Sequence, residues 1–213
     1  TPTDSSAASD VYKRQGVCGG SGSGKTTLVE AALNHLTPDT VCRVSQDSYY
    51  KNNDNLSFEE RCQLNYDHPN AIDYNLFISQ IKQLQKGKSV QAPVYSYSDH
   101  LRTEQFISIT PKPVILVEGI LIFAHTPLRK LFTHTIFIDA DDETRLRRRT
   151  ARDIQKRGRT VGEVNQRFRE TILPMHNAHI EPFKDESDYI FDNNEDDLSR
   201  LASFCKLISK LIK

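Results

Sequence analysis

The sequence has no tryptophan, a single methionine and no excess of charge of either sign. Because 28 lysine and arginine residues balance 28 aspartate and glutamate residues, no global field draws the protein to nucleic acid or to an anionic membrane. No apolar run approaches the roughly twenty residues needed to cross a bilayer. The four cysteines show neither metal-ligand spacing nor a paired framework. These absences predict a cytoplasmic protein with reduced thiols, in which any anion site must be local.

The chain of 213 residues is long enough for one compact α/β domain. Short apolar runs alternate with helical stretches, which is the pattern of a doubly wound parallel sheet of about five strands. The predicted strands are residues 16–18, 41–45, 114–118, 135–139 and 189–191. The predicted helices are residues 25–35, 75–86, 142–156, 161–180 and 196–212.

The first fifteen residues do not fit this pattern. Residues 1–10 are small and polar, and residues 11–15 are mostly polar where a buried parallel strand should be rich in Val, Ile and Leu. The string DVYKRQ at residues 10–15 also looks like a translated transposon-end sequencing adapter. We therefore expect residues 1–15 to be a disordered or non-native leader, and residues 16–213 to form a single domain.

Residues 91–109 interrupt the alternation with two β-rich pieces separated by polar residues. This pattern predicts a hairpin inserted between a helix and a core strand. Such an excursion can overhang the carboxyl ends of the parallel strands, where ligands bind in open α/β sheets. The hairpin is therefore a candidate cover for a substrate.

The strongest local signal is a phosphate-loop pattern, G-x-x-x-x-G-K-[ST], directly before a predicted helix. Successive backbone N–H groups and the helix N-terminus favour phosphates, while the lysine adds a charge and the threonine hydroxyl can bind Mg²⁺. The alternative is an ordinary Gly/Ser linker, but a linker gives no reason for the lysine that ends the pattern or for the helix that follows it. The candidate phosphate-binding residues are Gly19, Gly20, Ser21, Gly22, Ser23, Gly24, Lys25, Thr26 and Thr27.

A phosphate loop does not by itself name a reaction. A GTPase should carry an Asn-Lys-x-Asp guanine reader and an Asp-x-x-Gly switch, and the sequence contains neither at the expected places. The pattern therefore favours an ATP-dependent enzyme over a regulatory GTPase.

Two carboxylates follow predicted strands at the same edge of the sheet. Asp47 could accept the proton of an attacking hydroxyl in phosphoryl transfer, or it could simply cap a helix. Glu118 ends an apolar strand at a Walker-B position, where it could support Mg²⁺ directly or through water; the alternative is a surface carboxylate.

Residues 145–159 are rich in arginine. Helical spacing places Arg145, Arg149, Arg152 and Lys156 along one face, and Gly158 then breaks the helix. A run of charge is often only a solvated face, and nucleic-acid binding would require interleaved aromatic residues that are absent. We interpret the segment as a helical lid that closes over the phosphates of a nucleotide.

Five pieces in order resemble the uridine/cytidine kinases of the phosphoribulokinase and uridine kinase group. They are GVCGGSGSGKTTL from Gly16, SQDSYYK from Ser45, NYDHPNAIDY from Asn65, PVYSYSDHLR from Pro93, and VEGI followed by TRLRRRTARDIQKRGR. The resemblance covers nearly all of residues 16–193. It implies a P-loop fold, ATP or GTP as phosphate donor, Mg²⁺ as cofactor, uridine and cytidine as acceptors in pyrimidine salvage, and a homotetramer.

The resemblance also implies roles for individual residues. Asp47 matches a catalytic base, acting with Lys25 and Arg152. Asp67 and Arg149 match ribose-binding residues, and Tyr95 and His100 match readers of the base edge. Tyr66 and Tyr97 match aromatic neighbours of the pyrimidine, for which hydrophobic packing is the alternative. Arg152, Arg157 and Arg159 match a phosphate-contacting lid, and Thr26 and Glu118 match the metal site.

The chain departs from the family pattern at two positions. In the helix after the lid the family commonly shows glutamine before an aromatic residue, whereas here Arg167 precedes Phe168, so no ligand role is assigned there. Position 97 is tyrosine where phenylalanine is frequent. A kinase of pantothenate or ribulose 5-phosphate, and a nucleotide-binding regulator, stay open as alternatives.

Overall fold

The protein is described here by a computed structural model that covers residues 12–195 and 197–212, without the side chain of Lys156. A parallel sheet of five strands has the order β2-β5-β1-β6-β7, and an antiparallel pair, β3-β4, stands apart from it. The strands are β1 (Lys13–Cys18), β2 (Val41–Ser45), β3 (Val90–Ser96), β4 (Leu101–Ile109), β5 (Val114–Glu118), β6 (His134–Asp139) and β7 (Tyr189–Asp192).

Helices connect the parallel strands. They are α1 (Lys25–His35), α2 (Phe58–Gln63), α3 (Tyr74–Gln85), α4 (Thr126–Arg129), α5 (Asp142–Arg157), α6 (Val161–Arg167), α7 (Leu173–His179) and α8 (Ser199–Leu211). The predicted doubly wound α/β fold is confirmed, and short helix α2 begins with a capping box between Ser57 and Glu60 that the sequence analysis did not use. Within the described ranges, no helix combines the length and apolarity that crossing a membrane would require.

Two apolar layers cover the sheet, one on each face. On one face the core includes Tyr49 stacked on Phe77 of α3, with ring centroids 4.1 Å apart. On the other face α1 and α8 contribute Leu28 and Phe204, which are completely buried. Because both faces are covered, β5 is apolar along its whole length except for its last residue, Glu118.

The central strand begins three residues earlier than predicted. Lys13, Arg14 and Gln15 pair with β5, so the expectation that they are disordered is wrong. Lys13 and Arg14 are only half-buried, and Arg14 Nε donates to the carbonyl of Leu131, so these polar side chains need no apolar environment. Residues 1–11 lie outside the described residues, and the proposed non-native origin of the leader stays a prediction.

The predicted helix over residues 161–180 is divided into α6 and α7 by a π-helical turn, Phe168–Ile172. Pro174 lacks the N–H that a continuous helix would need, and the wider turn accommodates that loss. The last helix begins at Ser199 rather than at residue 196, which lies outside the described residues.

The predicted hairpin is confirmed as β3 and β4. Its register shifts between Pro93 and Tyr95, where proline has no N–H to donate to the ladder. The turn of the hairpin contains His100, whose φ of 54° is in the left-handed region. The hairpin tip lies near the end of the parallel sheet that carries the phosphate loop.

Candidate active site

The phosphate loop connects the carboxyl end of β1 to the start of α1. Gly24 caps α1 with a φ of 85°, and Gly22 has a φ of 86°, a conformation that glycine adopts without strain. A Cβ on Gly22 would lie 2.3 Å from the carbonyl oxygen of Arg145, so the loop also needs glycine there for space. These constraints hold the backbone N–H groups at the helix start in the arrangement that binds phosphate.

Side chains behind the loop fix its position. The carbonyl of Ser23 accepts a hydrogen bond of 2.6 Å from Asn193 Nδ2. Arg145, which the sequence placed on the face of the lid, is instead completely buried behind the loop and paired with Asp142 at 2.7 Å. Its Nη1 atom would lie 2.0 Å from a Cβ added to Gly20. Arg145 therefore packs beneath the loop.

A cavity of about 500 Å³ opens beside the loop. Of the residues proposed from the sequence, the cavity is lined by Ser21, Lys25, Thr26, Asp47, Tyr66, Asp67, Tyr95, Tyr97, His100, Arg149, Arg152, Arg157 and Arg159. The proposed residues that do not line the cavity are Gly19, Gly20, Gly22, Ser23, Gly24, Thr27 and Glu118. Basic side chains outnumber the two lining carboxylates, so the cavity favours an anionic ligand.

Asp47 follows β2 in a short 3₁₀ helix and is accessible from the cavity. Tyr97 Oη donates a hydrogen bond of 2.5 Å to Asp47 Oδ2. Withdrawal from bulk water inside the cavity, together with the nearby charge of Glu118, raises the pKa of Asp47, while Tyr97 and Lys25 partly oppose the change. A carboxylate with a raised pKa beside a phosphate loop is suited to accept a proton.

Glu118 is 3% exposed at the end of β5. Its Oε1 accepts hydrogen bonds from Arg43 Nη2 at 2.6 Å and from Ser45 Oγ at 2.9 Å. The exposed Thr26 hydroxyl lies at the start of α1, and no described residues form a cluster of three or more His, Cys, Asp or Glu side chains able to hold a metal. This oxygen-only set fits Mg²⁺, which takes few protein ligands when phosphates supply the others.

Aromatic side chains form the wall opposite the phosphate loop. Tyr66 stacks on His100 with ring centroids 4.9 Å apart and an interplanar angle of 15°. Burial, with Arg167 and Arg159 nearby, lowers the pKa of His100, so the ring is neutral at pH 7. The Tyr95 hydroxyl is buried in this wall beside the hydroxyl of Tyr66. A flat ligand with polar edges could form a further hydrogen bond with this hydroxyl, since a phenol both donates and accepts.

Asp67 and Arg149 connect this wall with the phosphate loop. Asp67 is 8% exposed and lines the cavity. Arg149 Nη1 donates a hydrogen bond of 2.6 Å to Ser21 Oγ. Burial lowers the pKa of Arg149 to about 10, although Asp67 and Asp153 act in the opposite direction. The arginine thus stays charged at neutral pH and faces both halves of the cavity.

The lid arginines of α5 and of the turn after it gather around one carboxylate that the sequence analysis did not select. Asp153 is completely buried and forms ion pairs with Arg149, Arg152, Arg157 and Arg159. Sequence reasoning also missed Arg167, Tyr50, Ser98 and Ile120, which line the cavity. Helical spacing could have indicated Asp153, since it lies four residues from Arg149 and from Arg157.

Comparison with known proteins agrees with this geometry. A uridine kinase of Macrococcus caseolyticus is 46% identical over 175 residues, which are 82% of this chain and 85% of the relative. A uridine kinase of Lactobacillus johnsonii is 44% identical over 186 residues, 86% of this chain and 88% of the relative.

The fold is also found in solved structures. Phosphoribulokinase from Rhodobacter spheroides superposes with a TM-score of 0.62 at 12% identity, covering 86% of this chain and 71% of that protein. At the level of sequence, the model of the Phosphoribulokinase / Uridine kinase family matches residues 15–199. The chain therefore belongs to the Phosphoribulokinase / Uridine kinase family.

Proposed function

We propose that this protein transfers the γ-phosphoryl group of ATP, or of GTP, to the 5′-hydroxyl of uridine or cytidine. The observation that carries the proposal is that a single cavity contains a phosphate loop, a carboxylate with a raised pKa and an aromatic wall. The relatives named uridine kinase, which match over most of this chain, support the same substrate class.

The donor phosphates bind at the loop in this proposal. Backbone N–H groups at the start of α1 and the charge of Lys25 hold the β- and γ-phosphates, and Arg152, Arg157 and Arg159 approach from the lid. Thr26 and Glu118 would hold Mg²⁺, which supplies charge neutralisation on the phosphates.

The acceptor lies between Asp47 and the aromatic wall. Asp67 and Arg149 bind the ribose hydroxyls. Tyr95 and His100 meet the base edge, where the buried Tyr95 hydroxyl and the neutral imidazole supply hydrogen bonds. Tyr66 and Tyr97 flank the pyrimidine. Tyr97 also contacts Asp47, a role that the sequence analysis did not predict.

The transfer itself is a direct in-line displacement. Asp47 receives the proton of the 5′-hydroxyl as the new O–P bond forms, and the bond between the γ-phosphorus and the β-γ bridging oxygen breaks to release the nucleoside diphosphate. The arginines stabilise negative charge on the transferred group. No covalent intermediate with the protein is required.

A phosphorylated acceptor such as ribulose 5-phosphate is the second candidate, because one further cation lines the cavity. The side chain of Arg167 makes no hydrogen bond and no ion pair within the described part of the chain. An acceptor carrying its own phosphate would require such an additional cation. Pantothenate and a non-catalytic regulator have no comparable observation in their favour.

An ADP-release assay with Mg-ATP tests the proposal against uridine, cytidine, 2′-deoxyuridine, adenosine, pantothenate and ribulose 5-phosphate. We expect turnover on uridine and cytidine. Turnover restricted to ribulose 5-phosphate or pantothenate would reassign the acceptor site, and silence on all of them with ATP bound would favour a regulator.

Asp67→Asn is expected to lower kcat/KM for uridine about 10- to 100-fold and to affect 2′-deoxyuridine less, because a charged hydrogen bond to a ribose hydroxyl contributes about 1.5–3 kcal/mol. Parallel kinetics on the two nucleosides measure the difference. The matched control is Asp54→Asn, a carboxylate bonded to Asn52 outside the cavity lining. Equal losses on both nucleosides would contradict ribose recognition by Asp67.

Tyr97→Phe is expected to move the acidic limb of the pH–kcat/KM profile to higher pH. The Tyr97 hydrogen bond lowers the pKa of Asp47, so its removal leaves burial and Glu118 less opposed and the pKa rises further. Since the base acts only when ionised, activity is then lost at a higher pH as the solution is acidified. Profiles of the wild type and the variant measure the shift; an unmoved limb would mean that another group sets it.

The homotetramer, the intracellular location, and the absence of nucleic-acid and membrane partners stay predictions. Sedimentation equilibrium of the purified protein, with and without uridine, measures the oligomer directly.

A further inference from the structure

Asp153 of α5 is a completely buried carboxylate that does not line the cavity, although four cavity-lining arginines surround it. Burial acts to raise the pKa of Asp153, but Arg149, Arg152 and Arg157 outweigh it and hold the pKa below its ordinary value. The carboxylate is therefore ionised throughout the neutral range. Its position behind the arginines excludes direct contact with a ligand in the cavity.

The two carboxylate oxygens divide the arginines between them. Oδ1 accepts a hydrogen bond of 2.9 Å from Arg152 Nε and lies 3.6 Å from Arg157 Nη1. Oδ2 lies 3.4 Å from Arg149 Nε and 3.9 Å from Arg159 Nη1, and makes no hydrogen bond within the described residues. Only Arg152 makes a hydrogen bond to Asp153. The other three guanidinium groups lie 3.4, 3.6 and 3.9 Å from the carboxylate and are oriented by charge.

The backbone of Asp153 contributes to the same arrangement. Its carbonyl oxygen accepts from the N–H of Gly158 at the helix C-cap and from the N–H of Arg159 at 3.3 Å. Gly158 adopts a φ of 63°, which turns the chain back on the helix. Arg159 thereby returns toward the Asp153 side chain instead of continuing along the helix axis.

The arginines around Asp153 contact both the phosphate loop and the hairpin. Arg149 donates to Ser21 of the phosphate loop, and Arg157 lies over the ring of Tyr97 in the hairpin, 4.9 Å from its centroid. Asp153 is the one carboxylate in ion-pair contact with both of these arginines among the described residues. Its charge thus links the lid to the loop and to the hairpin.

We propose that Asp153 is a positioning residue, which sets the four arginines in a common orientation before the transferred phosphoryl group develops its transition-state charge. The proposal rests on the phosphoryl-transfer function proposed above. Four unshielded guanidinium groups would repel one another and spread, and a single buried carboxylate reduces that repulsion without occupying the cavity. The arginines are then arranged before reaction rather than recruited during it.

The test is Asp153→Asn, which keeps the size of the side chain and the backbone carbonyl but removes the charge. We expect kcat to fall about 10²-fold, as for misplacement of catalytic groups, with the Kd of a non-hydrolysable ATP analogue changed less than about threefold. Binding of ADP with aluminium fluoride, a mimic of the transferred group, should weaken about 10²-fold. Glu143→Gln is the matched control, since this exposed carboxylate lies on the same helix outside the cavity lining.

A double-mutant cycle separates positioning from general stabilisation. If Asp153 acts through Arg152 and its neighbours, Asp153→Asn should cost less than about tenfold in an Arg152→Ala background, instead of about 10²-fold. Three results would each overturn the proposal. They are full additivity of the two substitutions, a kcat of Asp153→Asn within threefold of wild type, and a loss of activity explained by fewer ATP-analogue binding sites. If Asp153→Asn binds no analogue, Asp153→Glu decides: a folded variant slowed more than tenfold supports positioning, and wild-type rates contradict it.

Failure of this inference differs from failure of the proposed function. If the wild type phosphorylates another alcohol, the same variants are measured with that acceptor. If the wild type is silent on every acceptor, the proposed function fails, and the aluminium fluoride comparison alone decides whether Asp153 positions the arginines.

Discussion

Replacing Asp47 by asparagine is expected to lower kcat on uridine by about 10²- to 10⁴-fold, the usual contribution of a positioned general base. Asparagine keeps the shape and can still accept the hydrogen bond from Tyr97, but it cannot take up the proton of the 5′-hydroxyl. ATP binding should be nearly unchanged, because the loop and the arginines are untouched. Steady-state kinetics and equilibrium binding of an ATP analogue measure the two quantities.

The same substitution is expected to increase thermal stability at pH 7. Burial and Glu118 raise the pKa of Asp47 above that of the unfolded chain, so the folded protein loses stability as the pH rises from the unfolded to the folded pKa. The penalty is complete once the pH exceeds the folded-state pKa, and asparagine removes it. The gain in Tm should disappear below about pH 4, where the unfolded aspartate is itself protonated.

Asp54→Asn, which alters a carboxylate outside the cavity lining, should change neither kcat nor the pH dependence of Tm. An Asp47→Asn enzyme that kept more than a tenth of the wild-type kcat would show that Asp47 is not the proton acceptor. Lower activity together with lower Tm would instead indicate a structural role for the carboxylate.

Replacing Arg152 by alanine is expected to lower kcat by about 10³- to 10⁵-fold, the range for an arginine that neutralises charge on a transferring phosphoryl group. The side chain lines the cavity, and its Nε is oriented by Asp153 at 2.9 Å. Because the interaction forms mainly in the transition state, kcat and kcat/KM should fall together. Arg152→Lys should recover only part of the loss, since lysine keeps the charge but not the planar fork.

Arg169→Ala provides the matched control, because this exposed arginine lies in the π-helical turn after the lid and outside the cavity lining. Its kcat should stay within about twofold of wild type. If Arg152→Ala raised the KM for ATP and left kcat unchanged, Arg152 would bind the ground state only, and the transition-state role would be refuted.

The phosphate loop could be identified from sequence because its chemistry is local. The backbone conformation of the loop is determined by glycines at fixed spacing, a lysine and a following helix. In the structure Gly22 and Gly24 adopt the left-handed conformation that glycine permits. The parallel sheet could be predicted for a related reason, since strands buried on both faces are apolar along their length. The polar start of β1 was missed because the half-buried Lys13 and Arg14 are not subject to that requirement. Gln15 is completely buried, and its Nε2 donates to the carbonyl of Leu211 in the last helix, a contact that local sequence does not predict.

Contacts between distant parts of the chain could not be predicted in this way. The hydroxyl of Tyr97 reaches Asp47 across 50 residues, and Arg149 reaches Ser21 across 128 residues. Arg145 is an arginine on the same predicted helix face as the lid residues, yet it is buried beneath the loop. Helical periodicity gives the direction of a side chain around its own axis, but not the element that packs against it.

The sequence by itself determined the fold class, the phosphate loop and the residue types that line the cavity, because each depends on backbone preferences and spacing within short segments. Only the tertiary structure decided how these residues act on one another: the Tyr97 hydrogen bond to Asp47, the raised pKa of that carboxylate, and the gathering of four arginines around Asp153. Charge interactions depend on distance and burial, and both are fixed when the parallel strands bring separate loops to one edge of the sheet.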